Sequence, residues 1–372
     1  MTAPHLELRA VLEDIVPAHR RKWGDNDCWD AKLEFQRAVG AHGWAAPGWP
    51  VEIGGRGLPV DEQIRCDAEF TRAGAPNRIA SFGTKNVGPT IAAVGTPEQK
   101  QHLARILSAE EVWCQGFSEP DAGSDLASLR CTADVDDDGF IITGSKVWTS
   151  VGLWATHCML LVRTDPTAPK HRGISALLLP LDLPGIDRQP IKQINGQAEF
   201  AQMHFDGVRV PRTALLGPLN DGWRVTMTTL GYERGGVVAM AGRLAQEVQE
   251  ATAPTVLAGL TPALRQRAMK LYCDSRTLGW MGERSLDDAG PDGAPGPLSS
   301  LIKLSWSQLG QRLGEYAVDS GGFGTVAGQL PSATDRFLST RSMTIAGGTT
   351  EVLKSLIGER ALGLPKEPGS KG

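Results

Sequence analysis

The sequence predicts an α+β protein with an N-terminal helical domain, a central β domain and a C-terminal helical domain. Apolar residues recur at helical spacing up to about residue 110. Short strand-like runs, separated by Asp-Gly and Pro-Gly joints, follow up to about residue 217, and helical spacing then returns. A chain of 372 residues is long enough for two or three domains. We therefore predict domains at residues 1–110, 111–217 and 218–372.

The first domain begins with apolar residues at helical spacing from Leu8 to Ile15, and Pro17 is expected to limit this first helix because proline has no N–H to donate. Thr96 suits an N-cap and Pro97 the first helical position of a helix that runs to about Leu107. A glycine- and proline-rich stretch at residues 47–59 is expected to be irregular.

The predicted strands are typical of a small barrel or sandwich; examples are Phe140–Thr143, Cys158–Val162, Ile174–Leu179 and Gln202–Phe205. The predicted C-terminal helices are Trp223–Glu250, Pro262–Leu286, Leu298–Gly321 and Ala333–Gly363, with a flexible connector at Gly290–Pro297. No G-x-G-x-x-G follows a strand, which argues against a Rossmann nucleotide-binding domain.

The composition indicates an ordinary globular protein, with 41% hydrophobic and 22% charged residues. A net charge of −4 gives no reason to expect nucleic acid or an anionic membrane as a partner. The six cysteines are scattered without a C-x-x-C, so neither a zinc cage nor a disulfide framework is indicated, and we expect reduced thiols. The N-terminus lacks the pattern of a signal peptide, and no run approaches the length of a membrane span. We expect a cytoplasmic protein.

The stretch from Cys114 to Ser150 carries the strongest chemical signal. Its first half is a loop rich in small and hydroxyl residues, with Gly123 just before Ser124, and it offers a ligand N–H and O–H donors. Its second half is β-patterned and ends at Trp148-Thr149-Ser150. A large flat aromatic beside two hydroxyls suits a flat heteroaromatic ring. An ordinary β-hairpin with a packed tryptophan would explain the same residues.

Two segments of this stretch, F-S-E-P-D-A-G-S-D and K-V-W-T-S, resemble the flavin-binding segments of the acyl-CoA dehydrogenase family in order and separation. The resemblance extends through G-W-P-V-E-I-G-G-R-G, G-T-P-E-Q-K and the C-terminal A-G-G-T-T-E-V-L-K-S-L-I-G-E-R-A-L-G-L-P. It implies the acyl-CoA dehydrogenase fold, with an N-terminal helical domain, a central small β-barrel and a C-terminal four-helix bundle. It also implies FAD as cofactor and the α,β-dehydrogenation of an acyl-CoA thioester.

Carried over residue by residue, the resemblance implies three groups of site residues. The flavin contacts would be Gln115, Phe117, Ser118, Trp148, Thr149, Ser150, Thr349 and Glu351. The substrate contacts would be Ser124 near the CoA pyrophosphate, Arg234, and Gly347, whose N–H would bind the thioester oxygen. Such a donor would stabilise the enolate-like charge that develops as the α-proton leaves. A threonine and an acid at a helix start are also a common cap, so Thr349 and Glu351 have a structural interpretation as well.

The catalytic base departs from the commonest pattern of the family. The usual glutamate position is Gly347 here, and Ala346 before it has no acid either. A second family arrangement, as in isovaleryl-CoA dehydrogenase, places the base on the first long helix after the barrel, where this chain has Glu233 followed by Arg234. Apolar neighbours such as Leu230 would raise the pKa of that carboxyl toward the range of a base. A solvated Glu233–Arg234 ion pair is the alternative.

Two other family segments are weak: R-x-x-F-G is missing around Arg265, and Q-x-x-G-G-x-G is reduced to Ser320–Gly324. The resemblance implies an electron-transfer flavoprotein as electron acceptor and a homodimer, homotetramer or heteromer as the assembly. It points to fatty acid or steroid side-chain metabolism, with an acyl-CoA or an acyl-carrier-protein thioester as substrate. A non-catalytic partner subunit of a heteromeric dehydrogenase, and an oxidase or monooxygenase on the same fold, are the competing hypotheses.

Overall fold

The computed structural model describes residues 3–24, 26–79, 81–235, 237–287 and 298–365, with the side chains of residues 233–239 and 286–297 left out. The chain divides into two compact units. The first contains residues 1–193 and 197–233, and the second contains residues 194–196 and 234–372. The three domain boundaries predicted from the sequence remain a prediction. The described part of the chain contains no helix long and apolar enough to cross a membrane.

The N-terminal part of the first unit is helical, as predicted. Its helices are α1 (Pro4–Trp23), α2 (Trp29–Ala41), α3 (Val60–Arg72), α4 (Gly88–Val94) and α5 (His102–Leu107). The prediction that Pro17 limits the first helix was wrong, since α1 runs past it to Trp23. Leu8, Leu12 and Val16 lie on one face of α1 and are buried with residues of α2 and α3. This shared core outweighs the one backbone hydrogen bond that proline removes.

The segment before α5 shows the predicted cap. Thr96 Oγ1 accepts a hydrogen bond from the backbone N–H of Gln99 at 3.3 Å, and the Gln99 side chain accepts one from the Thr96 N–H at 3.1 Å. This reciprocal pairing is a capping box. The first turn is a 3₁₀-helix at Gln99–Gln101, and the α-helical part begins only at His102.

The β domain forms one eight-stranded sheet with the order β6-β7-β3-β2-β4-β5-β8, and β1 pairs in parallel with β4. The four strands named from the sequence are confirmed, each inside a longer strand. The strands are β1 (Trp113–Gly116), β2 (Thr132–Val135), β3 (Gly139–Ser150), β4 (His157–Arg163), β5 (Ile174–Pro180), β6 (Ile186–Ile191), β7 (Phe200–Pro211) and β8 (Leu215–Leu216). β4 and β5 are buried almost throughout, which explains their continuous apolar runs.

The two faces of the sheet bury different cores. One core lies within the β domain and includes Ile142, Leu160 and Phe205. The other joins the opposite face to α4, α5 and the helix α6 (Gly222–Gly235), and it includes Ile91 and Val225. A buried hydrogen bond of 3.0 Å between the hydroxyls of Thr90 and Thr229 ties α6 to α4. The first part of α6 therefore belongs to the same packed body as the sheet.

The second unit is helical. Its helices are α7 (Val237–Ala251), α8 (Pro254–Leu257), α9 (Pro262–Asp287), α10 (Leu298–Val326), α11 (Pro331–Ser339) and α12 (Thr350–Leu356). Helices α7, α9 and α10 share a core that includes Leu244, Leu278 and Leu309. The predicted helices are confirmed except at the end, where Ala333–Gly363 was predicted as one helical segment. Residues 340–349 interrupt it, because Gly347 and Gly348 have φ of 65° and 99°. The predicted connector Gly290–Pro297 lies outside the described residues.

Candidate functional site

Two segments predicted to act together lie side by side at one edge of the β domain. Gln115 is in β1, Phe117 and Ser118 follow it, and the end of β3 carries the Lys146–Ser150 segment. The backbone N–H of Val147 donates to the carbonyl of Ser118 at 2.9 Å, which joins the two segments directly. The structure therefore brings together six of the residues that the sequence assigned to one site.

A β-bulge sets the direction of Trp148. The pairing of β3 with β7 shifts register between Lys146 and Thr149, so the residues between them have no partner on β7. Trp148 has φ of 58°, a left-handed conformation that bulky residues adopt rarely and at a cost of about 1–3 kcal/mol. Its indole is 58% exposed and meets Phe200 only edge-on, with ring centroids 6.0 Å apart. A large aromatic held outward by a strained bulge is a feature of ligand sites.

Two buried polar groups beside the bulge have no hydrogen-bond partner within the described part of the chain. They are the Nε2 of Gln115 and the hydroxyl of Thr149. The oxygen of Gln115 lies 3.5 Å from Nδ2 of Asn86, at the outer limit of hydrogen bonding, so its amide nitrogen is the free end. An unsatisfied buried polar group costs about 1–3 kcal/mol. Both residues were predicted as cofactor contacts, and both have hydrogen-bonding capacity to spare.

A buried ion pair lies under this surface, and the sequence analysis did not identify it. The ammonium of Lys146 is fully buried, 2.7 Å from a carboxylate oxygen of Glu119 and 3.1 Å from the carbonyl of Phe117. The Glu119 carboxylate also accepts the backbone N–H groups of Arg130 and Cys131 at 2.6 and 2.9 Å. The signal was a lysine at an inward position of a strand and a glutamate in the neighbouring loop.

The pair shapes the loop that follows Ser118. The backbones of Glu119 and Ala122 exchange two hydrogen bonds of 3.0 and 3.1 Å, so the loop turns back directly after the buried carboxylate. Gly123 and Ser124 follow in exposed positions. A Cβ built at Gly123 meets no atom within 4 Å, so the protein itself leaves room for a side chain there. Ser124 is therefore presented to solvent at the tip of a loop held at its base.

The predicted base and its neighbour lie on α6. The backbone of this helix passes through Glu233 and Arg234, one turn beyond the buried Thr229. The side chains of Glu233 and Arg234 lie outside the described residues, so the apolar environment expected for Glu233 stays a prediction.

The remaining predicted residues belong to the second unit. Thr349 is the N-cap of α12, and its hydroxyl accepts the N–H of Val352 at 3.2 Å, which confirms the capping interpretation. Glu351 is exposed in the first turn of that helix. Gly347 is exposed and has a left-handed backbone that a side chain would strain.

Models of three protein domains match the chain in sequence. They are the acyl-CoA dehydrogenase N-terminal domain at residues 5–110, the middle domain at residues 114–208 and the C-terminal domain at residues 220–362. This chain belongs to the acyl-CoA dehydrogenase family. The resemblance found in the sequence and the fold that it implied are therefore confirmed. As a member of this family, the protein is a flavoprotein oxidoreductase that acts on acyl-CoA.

Named relatives agree with this assignment. Over 353 residues the chain is 37% identical to acyl-CoA dehydrogenase IpdE1 of Mycobacterium tuberculosis, covering 92% of this chain and 90% of that protein. Its fold is similar to that of a solved structure titled Tcur3481-Tcur3483 steroid ACAD, with a TM-score of 0.85 and 31% identity over 98% of this chain and 97% of the other. It is also similar to a chain of the ChsE4-ChsE5 complex from Mycobacterium tuberculosis, with a TM-score of 0.84 and 29% identity over 99% of both chains.

Proposed function

We propose that this acyl-CoA dehydrogenase binds FAD through the Gln115–Ser118 and Trp148–Ser150 segments and forms an α,β-unsaturated acyl thioester. The observation that carries the proposal is the pair of unpartnered buried groups, Gln115 Nε2 and Thr149 Oγ1, beside an exposed indole. A flat heteroaromatic ring with hydrogen-bonding edges would supply partners for both groups and cover the indole. The chemistry of these residues therefore fits a flavin.

The chain's own residues have distinct roles in this proposal. Glu233 takes the α-proton of the substrate, and the N–H of Gly347 donates to the thioester oxygen. Thr349 and Glu351 contact the cofactor, whereas Ser124 and Arg234 contact the substrate. Bound FAD supplies the acceptor for the hydride that leaves Cβ. The exposed Gly123–Ser124 tip, with room above Gly123, suits the approach of a large phosphate-bearing group such as CoA.

The relatives narrow the substrate. One similar structure is titled a steroid ACAD. We therefore propose a bulky, steroid-derived or fatty acyl-CoA as substrate, with acyl-carrier-protein thioesters as the alternative carrier. Electrons would leave through an electron-transfer flavoprotein, and the reaction would take place in the cytoplasm. The departures at R-x-x-F-G and Q-x-x-G-G-x-G leave the adenosine half of FAD to be held by other contacts.

A second candidate function is that of one subunit in a heteromeric dehydrogenase. Two of the similar structures have titles that name two different chains. In its non-catalytic form this hypothesis gives the chemistry to the partner, whereas Glu233 would give it to this chain. The two forms differ in whether the purified chain alone bleaches on addition of an acyl-CoA.

The decisive experiment replaces Glu233 by Gln in the purified yellow protein. The change keeps size and helix propensity and removes only the basicity. Reduction of the flavin by the best acyl-CoA of a panel, followed by stopped flow, should slow by about 10²–10⁴-fold, the usual contribution of a general base. Glu250→Gln, at an exposed position of α7, is the matched control and should reduce at the parent rate. A Glu233→Gln protein that bleaches as fast as the parent would assign the base to another residue.

A further inference from the structure

Away from the proposed flavin surface, three side chains with metal-ligating atoms converge where α5 meets the β domain. His102 begins α5, Glu111 precedes β1, and His157 begins β4. Nδ1 of His102 lies 3.0 and 2.8 Å from the two carboxylate oxygens of Glu111, and Nε2 of His157 lies 3.8 Å from one of them. All three ligating atoms lie within 4.8 Å of one another.

The hydrogen bonds around His157 determine which ring nitrogen is available. The hydroxyl of Thr156 donates to the carbonyl of Val112 at 3.1 Å and accepts the Val112 N–H at 2.9 Å. Because its proton is already used, this hydroxyl acts as the acceptor for Nδ1–H of His157, 3.0 Å away. The lone pair of a neutral His157 is then on Nε2, which faces Glu111. Metal-binding histidines are commonly oriented in this way by an acceptor on the other ring nitrogen.

The carboxylate and the rings are also held from behind. Glu111 is 4% exposed, and the indole N–H of Trp113 donates to it at 3.1 Å. The fully buried Trp113 ring stacks on His157 with centroids 4.9 Å apart and meets His102 edge-on at 5.2 Å. The histidine side chains keep 25% and 20% of their surface exposed, so an ion can reach them from solvent.

We propose that His102, Glu111 and His157 bind a divalent transition-metal ion of the Zn²⁺ class. Two imidazoles and one carboxylate form a ligand set that suits Zn²⁺, Ni²⁺ or Co²⁺, and the open side leaves room for water ligands. Ligand atoms around a tetrahedral zinc lie about 3–3.5 Å apart, so the two imidazoles close by small side-chain rotations on binding. The bound ion crosslinks α5 to β1 and β4 and is structural, since none of the three residues belongs to the flavin or substrate segments.

Arg105 is the competing cation at this site. Its guanidinium donates to Glu111 at 3.2 Å from one turn along α5 and is half exposed, so it can move into solvent when an ion arrives. Arg105 therefore lowers metal affinity. A plain ion-pair cluster of Glu111 with His102 and Arg105 is the competing explanation, and it predicts no metal binding.

The test is calorimetric titration of the full flavin-bearing chain with Zn²⁺ at neutral pH, in a Cys273→Ser background that removes the exposed thiol. The parent should bind one ion per chain. His102→Gln and His157→Gln should abolish this binding, and Thr156→Val should weaken it by about 10–100-fold, as expected for loss of an orienting partner. His42→Gln, at an exposed histidine outside the cluster, is the matched control and should bind as the parent does.

Two further results decide between the explanations. Arg105→Gln should bind Zn²⁺ more tightly than the parent, whereas a site elsewhere would not respond to this change. Saturating Zn²⁺ should raise the melting temperature of the parent and of His42→Gln but not that of His157→Gln, with folding of each variant checked by circular dichroism in the presence of EDTA. Equal stoichiometry and affinity in His157→Gln and the parent, or no zinc binding by the parent, would overturn the proposal.

Discussion

The buried pair of Lys146 and Glu119 allows a sharp test of how the candidate flavin surface is built. In Lys146→Met a side chain of similar length stays in the barrel, but the carboxylate 2.7 Å from the ammonium loses its counter-charge. Breaking a buried pair on one side typically costs about 3–5 kcal/mol. The Glu119 carboxylate keeps two backbone N–H donors, which places the expected loss near the lower end, at about 3 kcal/mol. The Phe117 carbonyl also loses its donor, for about 1 kcal/mol more.

Urea unfolding at pH 7 and constant salt, with the flavin removed, measures this loss. Lys170→Met is the matched control, because Lys170 pairs with Asp125 in the same region but the two side chains are 50% and 59% exposed. An exposed pair is worth about 0–1 kcal/mol. The double variant Lys146→Met/Glu119→Gln should lose less stability than the sum of the single variants, since removing both charges leaves neither one unpaired. The reasoning is refuted if Lys146→Met is as stable as Lys170→Met.

Three other predictions concern the cofactor, pH and assembly. Trp148→Ala should lose FAD on dialysis, because stacking area and water exclusion are lost together, and a variant that stays yellow with an unchanged spectrum would contradict the site assignment. Two arginines, Arg9 and Arg72, each donate to Glu69 at 2.6 Å, and these bonds hold the pKa of that carboxyl at about 2, below its usual value of 4.5. Glu69 therefore stabilises the folded state fully above pH 4.5, and this contribution is lost as the pH falls toward 2; urea midpoints in this range should fall less in Glu69→Gln than in the parent. We also expect at least a dimer with twofold symmetry by light scattering, which a stable flavin-bearing monomer would exclude.

Much of the fold could be predicted because its signals are local. Helical spacing, the Thr96 cap and the continuous apolar runs of β4 and β5 each lie within a few residues, and the structure confirms them. The prediction at Pro17 failed because the burial of Leu8, Leu12 and Val16 is a tertiary term that local propensity does not contain. The predicted helix at Ala333–Gly363 failed where two consecutive glycines adopt left-handed backbone.

The sequence by itself determined the family and the segments that carry the candidate flavin surface. These are contiguous motifs, and the chemistry of Trp148-Thr149-Ser150 can be recognised without knowing what lies behind it. Only the tertiary structure decided how that surface is held. A register shift in β3 turns Trp148 outward, and Lys146 pairs with a carboxylate 27 residues away along the chain. The cluster of His102, Glu111 and His157 likewise exists only once α5 packs beside β1 and β4, because residues distant in sequence acquire a common chemistry only when packing brings their atoms within reach.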